Sequence, residues 1–208
     1  MKYESIIFDI DGTLWDSRAL VTQAYNEQIR SEGLDHLQVT PEDLIPLFGK
    51  VTEDLADALF PSLPPAERYG LIARCFDREV KYLWTQECKV GYPGVTETIA
   101  KLAEKYRIFI VSNCQLGYPE VCMDKLGLTP YIEGHLCFEQ TGTRKGLTLK
   151  TLMEKHNVGS CIYVGDTQGD YEATVEAGIP FIFASFGFGT PESYIAKINK
   201  FEDLLEIL

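Results

Sequence analysis

Four short apolar runs, each closed by a polar or glycine-bearing station, limit most tightly how this chain can fold. They are Ile6-Ile7-Phe8 before Asp9, Ile108–Val111 before Ser112-Asn113, Cys161–Val164 before Gly165-Asp166, and Phe181–Ala184 before a loop holding Gly187-Phe188-Gly189. Short apolar runs of this kind, bounded by turn residues, read as strands buried on both faces. Helix-length stretches separate them. Strand and helix alternating at this spacing imply parallel βαβ units, and so an α/β chain with a doubly wound parallel sheet. In such sheets ligands gather beyond the carboxyl ends of the strands. Stations far apart in sequence are therefore expected to meet at one edge.

The helical reading fills in the rest. Asp16 or Ser17 caps a helix that runs to about Glu32 and stops at Gly33. Thr40-Pro41-Glu42-Asp43 opens a second helix ending near Phe48-Gly49, and Thr52 starts a short third. After Pro61, Pro64 and Pro65 a long helix covers about Ala66 to Gln86. Residues 16–87 thus form a helical block inserted between two strand regions, and the expected division is a core of 1–15 and 88–208 with a helical cap domain of 16–87. Beyond the Gly91-Tyr92-Pro93-Gly94 return, helices are predicted to Tyr106, around Pro119–Leu126, up to about His156 and over 168–177. Thr167-x-x-Asp170 supplies a capping box for the last of these. His135–Phe138 reads as a short strand, Glu139–Gly146 as a polar loop, and the final turns to Leu208 as helical.

Composition removes several classes of function. The 208 residues carry a net charge of −12, which argues against nucleic acid as a partner, because phosphate backbones call for clustered Lys and Arg. No apolar run approaches a membrane span. Charges interrupt MKYESIIFDIDG where a signal peptide would be apolar, so no secretion signal is read. The six cysteines include no C-x-x-C pair, and reduced thiols in the cytoplasm are the expectation.

The stations themselves carry chemistry. Asp9 and Asp11 lie two apart, on the same side of an extended strand, and Gly12 lets the backbone turn and approach a ligand. Two carboxylates so close repel, so the pair calls for a metal, a proton or a nearby cation. Asp166, the hydroxyl of Ser112, the amide of Asn113 and the ammonium of Lys145 complete the set. Acids with one cation, presented beside loop amides, suit phosphoryl transfer with Mg²⁺, where a carboxylate attacks phosphorus and forms an aspartyl-phosphate.

These stations resemble the four motifs of the haloacid dehalogenase-like superfamily of phosphohydrolases. Asp9-Ile10-Asp11-Gly12-Thr13 matches the first, Ser112 the second, Lys145 the third, and Gly165-Asp166-Thr167-Gln168-Gly169-Asp170 the fourth. The helical block resembles the inserted cap of the phosphoglycolate phosphatase and β-phosphoglucomutase branch, so the resemblance implies a Rossmann-like core with a helical cap. It also implies roles. Asp9 is the nucleophile and a metal ligand. Asp11 is the general acid and then the base, with its backbone carbonyl on the metal. Asp166 is the third protein ligand, and Asp170 orients a metal water or Lys145. Ser112 and Asn113 bind phosphate oxygens, and Lys145 pairs with Asp9. Asp11 stands where dehalogenating members lack an acid, so C–halogen cleavage is disfavoured. Where many relatives have Lys-Pro at the third motif, this chain has Lys145-Gly146 behind Arg144, which reads as a solvated charge.

Plainer readings stand beside these. A helix cap accounts for Asp16 and Ser17, and Thr13 steadies its loop. Lys50, where this branch carries a specificity loop, either contacts substrate or is an exposed lysine near a helix end. His36, His135 and His156 share no metal-ligand spacing. Trp15, Phe186 and Phe188 either flank the site or pack. The expected activity is Mg²⁺-dependent hydrolysis of a small phosphorylated metabolite. The rivals are a phosphosugar mutase of the same branch and a non-catalytic phosphate-binding regulatory protein.

Overall fold

The computed structural model describes residues 2–87 and 90–208; the expected boundary at residue 88, and Cys88 with it, lies outside them. The chain runs β1 (Ser5–Phe8), α1 (Arg18–Ser31), α2 (Pro41–Leu44), α3 (Thr52–Leu59), α4 (Pro65–Thr85), α5 (Val95–Leu102), β2 (Arg107–Ser112), α6 (Tyr118–Lys125) and β3 (Ile132–Cys137). It continues α7 (Phe138–Thr141), α8 (Lys145–His156), β4 (Cys161–Gly165), α9 (Gln168–Ala177), β5 (Phe181–Ala184), β6 (Ala196–Ile198) and α10 (Leu204–Ile207). It divides into two compact units, Met1–Asp16 with Lys89–Leu208, and Ser17–Cys88.

The first unit is a six-stranded, all-parallel sheet in the order β3-β2-β1-β4-β5-β6. The order reverses direction at β1, which makes the space beyond its carboxyl end the switch point of the sheet. Phe8, the last residue of β1, registers with Ile110 of β2 and Val164 of β4. Asp9, Ser112 and Asp166 each follow within two residues of that row. All four β1 residues are buried, as expected of a central strand covered on both faces. Ile7, Phe109, Val111, Tyr163, Phe181 and Phe183 share one core with Leu149 and Leu152 of α8 and Ala173 of α9. Phe8 stacks on Phe201 with centroids 5.6 Å apart. Each such large buried side chain contributes roughly 1.5–3 kcal/mol of burial.

The second unit is helical. In it α1 and α4 pack through Val21, Tyr25, Ile29, Leu71, Ile72 and Cys75, with Phe60 from beyond α3. The Asn26 side chain both donates to the Val39 carbonyl and accepts from its N–H, each at 2.8 Å, which pins the chain leading into α2. Thr40 and Asp43 form the capping box of α2.

Several boundaries differ from the sequence reading. Helix α2 stops at Leu44 instead of near Phe48, because Pro46 has no N–H to extend it, and the chain goes on in turns. Ser17 occupies the N-cap of α1 in helical backbone, and its side chain makes no capping bond. Strand β3 begins at Ile132, not His135, and Phe138 opens α7. The final turns are helical, as read, in α10, but the sequence reading missed β6, which precedes them. Both differences are at the sheet's edges, where short, half-polar strands lack the continuous apolar run of an inner strand.

Candidate active site

Each loop presents its group for a local reason. Asp9 leaves β1 with its N–H bonded to the Val164 carbonyl at 2.9 Å, so the first residue beyond the strand is still held by the sheet. The turn that follows depends on Gly12. Its φ is +81°, and a Cβ there would fall 2.2 Å from Asp166 Oδ2. Asp166 is fully buried and held from both sides: the Phe188 N–H donates to Oδ2 at 2.6 Å, and Thr13 Oγ1 to Oδ1 at 3.4 Å. Thr13 thus does steady the loop, and Phe188 contributes through its backbone. The ring of Phe186 packs on Tyr92, with centroids 4.8 Å apart.

Lys145 is the first residue of α8 and is buried, with Nζ donating to Asp9 Oδ1 at 2.9 Å and to Asp170 Oδ1 at 2.6 Å. Arg144, its neighbour, is 74% exposed and pairs with Glu176 at 3.1 Å. Lys145 is therefore the cation that reaches the acids. The other oxygen of Asp170, Oδ2, accepts from Asp166 N at 3.1 Å, Thr167 N at 2.9 Å and Thr167 Oγ1 at 2.7 Å. This capping box of α9 fixes Asp170 as a support for its neighbours. Tyr163 Oη lies 2.9 Å from the Val111 carbonyl and 3.3 Å from Asp170 Oδ1.

Ser112 ends β2, buried, opposite Cys137 in the register. Asn113 follows, half-buried. Next to them the Cys114 and Cys137 thiols are hydrogen-bonded to each other, and burial pushes the Cys114 thiol well up. Lys50 belongs to the helical unit, where it is exposed just past the Gly49 turn. His135 stands 3.6 Å from Glu120, and His156 packs on Phe109.

Asp11 has partners that the sequence did not announce. Its Oδ1 accepts from Trp15 Nε1 at 3.0 Å and from Tyr118 Oη at 2.6 Å. Trp15 stood out as an aromatic near the first motif, but Tyr118 carried no signal. Nor did Tyr163, which reads as a core residue of its strand.

The charge balance shows what the loops accommodate. One oxygen from each of Asp9, Asp166 and Asp170 lies within 4.8 Å of the others, and all three residues are buried. Burial pushes the Asp9 carboxyl up to about 7 against the pull of the Lys145 ammonium. Burial, with Asp170 and Asp9 close by, pushes Asp166 up to about 8. For Asp170 burial acts in the same direction, but Lys145 and the Thr167 donors outweigh it and hold the carboxyl below its usual range. Burial works to lower Lys145, and the two aspartates overcome it, so the ammonium is held. Three buried carboxylates against one ammonium leave negative charge to be neutralised. An all-oxygen donor set suits a hard divalent cation such as Mg²⁺.

The sequence profile of the haloacid dehalogenase-like hydrolases matches residues 6–184. The chain belongs to that family and is a phosphatase. Its similarities run across nearly its whole length. A phosphoglycolate phosphatase of Agrobacterium fabrum is 30% identical over 191 residues, covering 88% of this chain and 80% of the relative. A pyrophosphatase, PpaX, of Listeria innocua is 24% identical over 218 residues, covering 100% and 97%. The crystal structure of a predicted phosphoglycolate phosphatase from Haemophilus somnus superposes with a TM-score of 0.84 at 20% identity, covering 100% of this chain and 98% of that one. Among the described residues no helix is long and apolar enough to cross a membrane.

Proposed function

We propose that the protein hydrolyses a small phosphorylated metabolite through an aspartyl-phosphate on Asp9, with Mg²⁺ held by Asp9, Asp166 and the Asp11 backbone carbonyl. The observation that carries this reading is Lys145, whose buried ammonium bridges Asp9 and Asp170 at 2.9 and 2.6 Å beside Asp166. A lysine so placed steadies the attacking carboxylate and offsets charge on the phosphoryl oxygens.

The Asp9 carboxylate attacks phosphorus, and the bond to the leaving oxygen breaks. Asp11 gives that oxygen its proton. Asp11 then takes a proton from water, which attacks the phosphorus of the aspartyl-phosphate and frees Asp9. Ser112 and Asn113 hold phosphoryl oxygens, and Asp170 orients Lys145. Bound Mg²⁺ supplies positive charge that lets these carboxylates stay ionised and neutralises the phosphoryl group. The five free thiols among the described residues suit a reducing cytoplasm.

The test is phosphate release from phosphoglycolate, sugar phosphates, nucleotides and pyrophosphate, with Mg²⁺ and with a chelator. Metal-dependent release from at least one small monoester is expected, with phosphoglycolate the first candidate in view of the relatives' names. Interconversion of sugar-phosphate isomers without net release would replace hydrolysis by the mutase reading.

A further inference from the structure

We propose that Tyr118 and Trp15 form a clamp on Asp11 that fixes which of its carboxylate oxygens delivers the proton to the leaving group. The proposal rests on the reading of Asp11 as general acid. Tyr118 Oη and Trp15 Nε1 converge on one oxygen, Oδ1, at 2.6 and 3.0 Å. All three residues are buried, and the two rings meet edge to face, with centroids 5.4 Å apart at 73°.

Both arms of the clamp are anchored in the backbone. The Trp15 carbonyl accepts from Gly12 N–H at 3.0 Å, and Trp15 bridges to Asp11 on one side and Gly91 on the other. Tyr118 opens α6 directly after Gly117, whose backbone is left-handed. Packing alone would be served by two phenylalanines. Two polar hydrogens aimed at one oxygen are what packing does not need.

The chemistry follows from the donors. An indole N–H donates and never accepts. With the Trp15 N–H and the Tyr118 O–H both donating to Oδ1, its two lone pairs are occupied, and the proton of the acid form belongs on Oδ2. A carboxyl pinned in one rotamer, with its proton on a defined oxygen, meets the geometric condition for general acid catalysis. Tyr118 and Trp15 act through Asp11, as positioning residues.

Leaving groups separate this role from a structural one. The p-nitrophenolate anion departs without a proton, whereas an alkoxide needs one. We would measure kcat and KM, at saturating Mg²⁺, on p-nitrophenyl phosphate and on the best alkyl monoester among phosphoglycolate, β-glycerophosphate and glucose 6-phosphate. The proteins are wild type, Tyr118→Phe and Trp15→Phe. The expected loss in kcat/KM, which reports departure of the leaving group and not the shared hydrolysis of the aspartyl-phosphate, is about tenfold larger on the alkyl phosphate than on p-nitrophenyl phosphate in each variant, a part of what a general acid contributes. Equal losses on both substrates, or none, would overturn the clamp. Trp15→Phe reads the same ratio independently if Tyr118→Phe fails to fold. Wild type cleaving p-nitrophenyl phosphate but no alkyl monoester would remove the acid role and the clamp while leaving a phosphatase. Wild type cleaving neither of these, nor any other phosphate of the panel above, would overturn the proposed function itself.

Discussion

Lys145 reaches into the loops from the first turn of α8 and meets two carboxylates, Asp9 just past β1 and Asp170 in the first turn of α9. Removing it leaves Asp9 and Asp170 buried without that partner, and breaking a buried ion pair costs about 3–5 kcal/mol. Lys145→Met should lower the melting temperature of the metal-free protein by about 10 °C at pH 8, since 1 kcal/mol is about 2–4 °C for a chain of this size. It should also cut kcat by about 100-fold or more. A variant with unchanged melting and turnover would remove Lys145 from the mechanism. At this scale the sequence was legible where a polar residue closes an apolar run, as with Asp9, Asp11, Ser112 and Asp166. It was illegible for Tyr118, whose partner Asp11 is 107 residues away and whose helix start reads as ordinary amphipathic surface.

Among the elements, the loop after β5 matters more than its glycines suggest. A Cβ on Gly187 would stand 2.4 Å from the Asp166 side chain and 2.4 Å from the Gly12 carbonyl. Gly187→Ala should therefore displace Asp166 and raise the Mg²⁺ concentration for half-maximal activity by about tenfold, the usual scale for disturbing a ligand's supports. Unchanged metal dependence would place the ion away from Asp166. Inner strands β1, β2, β4 and β5 were readable because burial on both faces demands unbroken apolar runs. Edge strands β3 and β6 face that demand on fewer sides, and Pro46 shortened a helix whose cap was read correctly. The capping box at Thr167 and Asp170 was legible as a cap, and of the two partners that the resemblance left open for Asp170, a metal water or Lys145, the fold shows the contact with Lys145.

For the molecule as a whole, the buried acids tie stability to pH. Asp9 and Asp166 have folded-state pKa values of about 7 and about 8, above the ordinary 3.8. The folded, metal-free protein thus binds more protons than the unfolded chain between about pH 4 and 8, and its stability falls as pH rises through that window. The melting temperature with chelator should drop from pH 5.5 to pH 8. A divalent cation supplies the missing positive charge, so the rise in melting temperature on adding Mg²⁺ should be larger at pH 8 than at pH 5.5. Equal Mg²⁺ shifts at both pH values would mean that these carboxylates do not hold the ion.

The most direct measurement is the fate of the phosphoryl group on the protein. Wild type and Asp9→Asn would be mixed with ³²P-labelled substrate and Mg²⁺, quenched in acid within milliseconds, digested and mapped. Wild type should carry hydroxylamine-labile label on the peptide containing Asp9, and Asp9→Asn should carry none and lose turnover by about 1,000-fold or more. Turnover by Asp9→Asn at the wild-type rate, or label on a different residue, would contradict the assignment of Asp9 as the nucleophile.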